Sequence, residues 1–265
     1  MNVAFIRPHS VLGALTDWND YHLCLAQYVL ESDEYVKYYK TRIERGDTVI
    51  MDNGIAEGVQ LYRQQLEQAY ERLEPTIIVA PDRLYEGYKS YDMTLSFAKY
   101  MRDAHPEAKI MGVPHGTTGT IPRLTDGGYE YLFGEMSLTD EIDYIGVSKY
   151  DVGPDFSRAA RLERLHLLGY IKKPLHLLGL SYNDGILEPL NYGENMWHHI
   201  LGIDSSHYYI HALNNLHTTD PREWPKLKAI KPKNYFEQKM PDGLPIVDMA
   251  LLHYRNIAES RGRHF

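Results

Sequence analysis

Three carboxylates stand directly after short apolar runs: Asp52 after Thr48-Val49-Ile50-Met51, Asp82 after Thr76-Ile77-Ile78-Val79-Ala80-Pro81, and Asp204 after Leu201-Gly202-Ile203. Two carboxylates facing each other across a sugar carbon can exchange a glycosidic bond with retention. One attacks the anomeric carbon, the other protonates the departing group, and the proton then travels back as the incoming group binds. Asp52 and Asp204 meet that need, and Asp82 could sit deeper as an acceptor for ring N–H groups. Each residue also has a plainer use. Asp52-Asn53-Gly54 is a common turn sequence, Asp82 after Pro81 can cap the next helix, Asp204-Ser205-Ser206 is a good N-cap, and His115 beside Gly116 can be a satisfied loop histidine. Taken together, carboxylates after three separate runs exceed what capping requires.

The runs that must position them are Val3–Ile6, Thr48–Met51, Thr76–Ala80, Lys109–Val113, Tyr144–Val147, Leu175–Leu178 and Leu201–Ile203. They are continuously apolar rather than alternating, as parallel strands buried on both faces are. Helix-length segments lie between them, at Gly58–Leu73, Ser90–Asp103, Ser157–Leu168 and Leu187–Ile200, and strand ends recur at about the spacing of one βαβ unit, roughly 30 residues. Ser157 reads as an N-cap and Gly169 as a terminator of the third segment. The interval Thr16–Gly46 reads as two helices, so an eighth strand is sought at Tyr208–Ala212 or near Ala229. The architectures open to such a pattern are a closed barrel and an open doubly wound sheet. No Gly-x-Gly-x-x-Gly follows the first run, which leaves the (β/α)8 TIM barrel as the expected α/β fold.

The chain of 265 residues fits a single barrel domain over 1–265. A proline-interrupted loop is expected over 218–245, and a closing helix over 246–259 with Val247, Ala250, Leu251, Tyr254 and Ile257 on one face. The opening Met1–Pro8 stretch is too short in apolar residues for a signal peptide, and no run approaches the roughly 18 apolar residues of a membrane span. A cytoplasmic protein without membrane contact is therefore expected. The single cysteine, Cys24, excludes an intrachain disulfide and a Cys-based zinc cluster.

A net charge of −8 argues against coating nucleic acid through a global field, yet a local grip is compatible with it. The candidates for that grip are Lys226, Lys228, Lys231, Lys233 and Lys239, backed by Arg255, Arg261 and Arg263. A solvated lysine face is the plainer reading of that stretch. The 22 tyrosines against 6 phenylalanines favour half-buried, hydrogen-bonding rings and offer stacking surfaces if bases must be held.

The order of these motifs over 48–207 resembles the tRNA-guanine transglycosylase superfamily, and within it the shorter phage and bacterial relatives that place 7-deazaguanines in DNA. Asp52-Asn53-Gly54 is similar to the family's Asp-[Ser/Asn]-Gly, whose aspartate is a general acid/base. Asp82 in Val79-Ala80-Pro81-Asp82 is similar to its base-recognising aspartate. Gly112-Val113-Pro114-His115-Gly116 resembles Gly-Val-x-Gln-Gly with His115 in place of glutamine. Ile145-Gly146-Val147 carries the glycine that touches the base edge, Leu177-Leu178-Gly179-Leu180 resembles Leu-Met-Gly-Val, and Gly202-Ile203-Asp204 resembles Gly-[Ile/Val]-Asp. The tRNA enzymes keep their nucleophile three residues beyond that last aspartate, where this chain has His207. The nucleophile is assigned to Asp204 because a carboxylate can form and release a glycosyl ester and because Asp204-Ser205-Ser206 resembles the DNA-acting relatives.

The resemblance implies replacement of guanine in a polynucleotide, DNA favoured over tRNA, by a free 7-deazaguanine such as 7-cyano-7-deazaguanine. Asp204 would be the nucleophile, Asp52 the proton shuttle, and Asp82, His115, Gly146, Val147, Gly179 and Asn53 the base pocket. The Cys-x-Cys-x-x-Cys zinc segment of the tRNA enzymes is missing, so no zinc and no other cofactor is expected. The compartment would be the host cytoplasm if the gene is a phage's, and a homodimer is left open. Two other readings use the same residues: an N-glycoside hydrolase in which water replaces the incoming base, and a non-catalytic subunit that binds a base or nucleic acid.

Overall fold

The computed structural model describes residues 2–12, 20–116, 127–149, 157–179, 188, 191–206, 209–210, 231 and 234–238. Eight parallel strands, β1 (Asn2–Phe5), β2 (Tyr21–Leu25), β3 (Thr48–Asp52), β4 (Ile77–Val79), β5 (Ile110–Gly112), β6 (Tyr144–Ser148), β7 (Leu175–Leu178) and β8 (Ile200–Ser205), form one sheet in the order β1-β8-β7-β6-β5-β4-β3-β2. The edge strands β1 and β2 lie against each other, so the sheet curls into a nearly closed barrel. Helices α1 (Ala26–Glu31), α2 (Asp33–Glu44), α3 (Arg63–Leu73), α4 (Gly87–Ala104), α5 (Gly127–Leu138), α6 (Arg158–Leu167) and the single turn α7 (Glu194–Trp197) alternate with the strands. This is the expected (β/α)8 architecture. No helix among the described residues is long and apolar enough to cross a membrane.

The seven apolar runs are all strands, shifted by a residue or two at their ends. The eighth strand lies elsewhere than expected. It is Tyr21–Leu25, inside the interval read as two helices, while Tyr209 and Ile210 are helical and Ala229 lies outside the described residues. The reason is local: Leu25 ends β2 and is also the residue preceding α1, so no turn separates strand from helix. The strand's outward residues pack under α2, with Cys24 buried and His22 bonded through Nε2 to Asp47 Oδ2 at 3.1 Å. The helix expected over 187–200 is another miss, since its last residue begins β8 and only Glu194–Trp197 is α-helical among its described residues. The helix at 158–167 conforms: Ser157 Oγ accepts from the Ala160 amide at 3.1 Å, and Gly169 follows with φ +73°. Of the loop expected over 218–245, only residues 231 and 234–238 are described, with a 3-10 turn at Tyr235–Glu237, and the closing helix of 246–259 falls outside.

One buried ion pair locks the ends of β6 and β7. Arg158, the first residue of α6, grips Glu188 through Nε and Nη2, both at 2.7 Å. Its remaining N–H groups donate to the carbonyls of Val147 at 2.7 Å, Leu178 at 3.0 Å and Gly179 at 2.6 Å. All five guanidinium donors are thereby used, and Tyr192 Oη donates to Glu188 Oε1 at 2.8 Å. A guanidinium wholly removed from water is tolerable only when paired and saturated in this way. Glu188→Ala, which strands that charge, is expected to lower stability by about 3–5 kcal/mol. Urea denaturation measures it, and a loss under about 1 kcal/mol would show that the pair does not hold the strand ends.

Candidate functional site

The alternation of side chains along parallel strands decides what enters the barrel. Register pairs Gly146 with His176 and His176 with Gly202, and places Asp204 two residues further on, on the same face. Tyr21 Oη lies 2.7 Å from His176 Nδ1, although β8 and β1 separate β7 from β2 around the ring, so the contact crosses the lumen. Gly202 makes room for it, since a Cβ there would lie 2.5 Å from Tyr21 Cε1. Burial raises the Tyr21 hydroxyl well above its ordinary pKa, and the Asp204 charge adds to the shift, so the phenol keeps its proton and donates to Nδ1. The imidazole then carries its own N–H on Nε2, which points at Asp204 Oδ1 at 3.1 Å. The Gly179 amide donates to the same oxygen at 3.0 Å. Oδ2 of this buried carboxylate takes no hydrogen bond among the described residues.

Gly179 reaches that oxygen because its backbone is left-handed, φ +69°, and because the Lys149 side chain lies where a Cβ would stand, with Cδ at 2.8 Å. Its carbonyl is taken by Arg158. Gly179, expected in the base pocket, donates its amide to the Asp204 carboxylate. Lys149 is lowered from its ordinary pKa by burial, while the Asp204 charge pulls the other way.

Asp52 ends β3 on the same face as Leu25, its partner across the ladder. Its Oδ1 accepts from the Gly54 amide at 3.0 Å, so the turn role does exist, supported by Gly54 at φ +81° with Gln27 Oε1 where a Cβ would go. The turn does not exhaust the residue. Burial, partly offset by that hydrogen bond, raises its pKa to about 7, with the charges of Asp204 and Asp82 adding to the rise. Mutual repulsion of this kind requires the three carboxylates to share one end of the barrel.

Asp82 caps no helix. Asn53 Nδ2 donates to its Oδ1 at 2.7 Å and to the Ala80 carbonyl at 2.7 Å, while His115 Nε2 meets Oδ2 at 2.5 Å. All three side chains are buried, so the three sequence-separated turns are stitched into one polar wall. Gly146 lies deeper, in mid-strand, where a Cβ would come within 2.9 Å of Leu178 Cδ1 and Val113 Cγ2. The Val147 carbonyl accepts from Arg158 rather than facing the site unpartnered.

Of the residues expected to grip nucleic acid, Lys226, Lys228, Lys233, Lys239, Arg255, Arg261 and Arg263 lie outside the described residues, as does His207. Lys231 is engaged: its Nζ lies 2.9 and 3.0 Å from the two carboxylate oxygens of Glu57. Among the described residues, one group of donors is close enough to share a metal ion, Glu67, Glu71 and His105. Glu67 and Glu71 stand on α3 and His105 is the residue after α4, so the group includes none of the three strand-end carboxylates.

Sequence reasoning misses His176, Tyr21 and Arg158. A signal existed for His176, a polar residue inside an otherwise apolar run in register with a glycine. No family model and no curated protein matches the chain.

Asp52→Asn separates a site carboxylate from a merely structural one. A folded-state pKa raised from 3.8 to about 7 means that the folded chain holds a proton that the unfolded chain has released between those values. Folding is therefore penalised increasingly as pH rises through that window, and fully above it. The asparagine variant is expected to be more stable than wild type at pH 8 by about 1–3 kcal/mol, a gain that vanishes near pH 4. Paired denaturation curves at the two pH values test this, and an equal difference at both would reject the raised pKa.

Proposed function

We propose that the protein is a base-exchange transglycosylase that replaces guanine in a polynucleotide with a 7-deazaguanine. The observation that carries the reading is the unequal treatment of two carboxylates at one barrel end. Asp204 has one oxygen fixed by two N–H donors and the other unbonded among the described residues, whereas Asp52 is held near neutrality by burial and by its neighbours' charge. A positioned carboxylate is what a glycosyl ester needs, and an acid titrating near 7 is what reversible proton transfer at neutral pH needs.

In the first half-reaction an Asp204 oxygen attacks C1′, the C1′–N9 bond breaks, and Asp52 delivers its proton to the departing guanine. In the second, N9 of the 7-deazaguanine attacks C1′, its proton passes to Asp52, and the ester C–O bond breaks to restore the Asp204 carboxylate. Asp82 would receive the N–H edge of the base on the lone pairs left by Asn53 and His115, since each carboxylate oxygen has two acceptor sites. The target nucleotide must leave its stack to reach the strand ends. The tRNA enzymes' zinc-binding cysteine motif is missing from this sequence, which favours DNA over tRNA.

Incubation of the protein with DNA or tRNA and labelled guanine or 7-cyano-7-deazaguanine, followed by nucleoside mass spectrometry, tests the proposal. Incorporation is expected, rising and falling around pH 7 with Asp52, and lost by at least about 100-fold in both Asp204→Ala and Asp52→Ala. Full exchange by Asp204→Ala would reject the nucleophile. Release of guanine without incorporation would mean hydrolysis, and base binding with no turnover would mean a non-catalytic subunit.

A further inference from the structure

An open groove of about 630 Å³ lies outside the barrel lumen, between the start of α3 and the middle of α4. Strand-to-helix connections run at the barrel end that carries the three carboxylates, so the groove opens on that end. Its wall is continuous with the site, because Pro81 and Arg83 line it and flank Asp82 in the chain. Leu61, Met93 and Phe97 make it apolar.

One exposed aromatic ring lines the groove, and others stand where the α4 face that lines it begins. Tyr62, which lines the groove beside the start of α3, is 72% exposed, and Tyr88, in the first turn of α4, is 54% exposed. Tyr88 stands four and eight residues before Asp92 and Ser96, so the three share one helix face, and the last two line the groove. Next to them Tyr85 adopts a left-handed φ of 64° and is 47% exposed. A bulky residue is held in that conformation only by its surroundings, and such positions concentrate at functional surfaces.

The charges in the groove are basic on balance, against the chain's net −8: Arg63 and Arg83 line it, with Asp92 opposing. The Arg63 guanidinium is fixed by stacking 4.6 Å from the Tyr100 ring centroid. Arg83 meets Glu86 only at 3.5 Å, and its buried Nε has no hydrogen-bond partner among the described residues. Exposed rings beside arginines along a groove are the means by which single strands are held, bases stacking while guanidinium groups face phosphates.

We propose that this groove holds the unpaired polynucleotide strand flanking the target nucleotide, with bases on Tyr62 and Tyr88 and phosphates at Arg63 and Arg83. The assignment rests on the transglycosylase reading for its polymer and moves the grip from the lysines after 225 to the rim of α3 and α4.

The test measures binding of a short fluorescent single-stranded DNA by anisotropy, and guanine exchange into the same DNA, in one set of preparations. Tyr62→Ala and Tyr88→Ala are each expected to weaken binding about 5- to 50-fold and to raise KM for DNA more than they lower kcat. Arg83→Ala should weaken binding and flatten its salt dependence by about 0.7 in log–log slope. Tyr131→Ala removes a comparably exposed ring, 53% accessible, on α5 and should change nothing. The rings and Arg83 lie at the surface, and unchanged circular dichroism checks folding. Wild-type exchange with undiminished binding by the three groove variants overturns the groove alone. Binding that these variants weaken, without any exchange, upholds the groove and overturns the transglycosylase reading. Neither binding nor exchange by the wild type overturns both.

Discussion

A carboxylate inside a barrel has to be held by donors that the barrel itself supplies, and the organisation of this molecule follows from how Asp204 is held. One donor, the Gly179 amide, comes from the end of β7 and requires a left-handed glycine. The other, His176, comes from the middle of β7 and needs its tautomer fixed from across the lumen by Tyr21. The tyrosine in turn needs Gly202 below Asp204 on β8, where any side chain would displace its ring. Three strand positions on three strands, and the glycine after β7, thus serve one oxygen atom. Arg158 completes the arrangement from outside, because the carbonyls it binds at Val147, Leu178 and Gly179 fix the strand ends that carry the Gly179 amide.

Asp52 is the counterpart of this arrangement, and the two carboxylates are held differently. Burial and the charges of its neighbours raise the Asp52 carboxyl, and the single amide of its own turn offsets only part of that rise. Asp204 instead has two N–H donors on one oxygen. Asp82, with both oxygens engaged by Asn53 and His115, stands nearby and adds to the rise at Asp52.

Much of the barrel was legible in the sequence because strands buried on both faces advertise themselves as unbroken apolar runs, and seven did. The eighth was not, for a reason rooted in its packing. Tyr21-His22-Leu23-Cys24-Leu25 has no β-branched residue, its polar members face a helix rich in tyrosine, and it passes into α1 without a turn. Losing that strand also hid Tyr21, and with it the reason for a histidine in β7. The site divides along the same line. Asp52, Asp82 and Asp204 could be read because each ends a run, and linear order marks strand ends. The links among them could not be read, since Asn53–Asp82, His115–Asp82 and His176–Asp204 join residues 28 to 33 positions apart, a spacing that only the closed sheet turns into contact.

The barrel alone argues for no particular reaction, because this fold hosts many. What narrows the choice is the kind of group gathered at its mouth. Phosphate-handling barrels depend on backbone amides and glycine-rich loops after the late strands. Here the left-handed glycine after β7 directs its amide to Asp204, an internal anion, so that amide is spent before a ligand arrives. The polar wall beside it is made of acceptors and a histidine, suited to the N–H edge of a neutral heterocycle rather than to an anion. The cations that a polynucleotide would need stand instead on the outer rim, in a groove whose wall continues through Pro81 into Asp82. On the proposed reading, an acidic lumen would repel phosphate and a basic, aromatic rim would attract it, so a base extruded from a strand could enter while its backbone stayed outside.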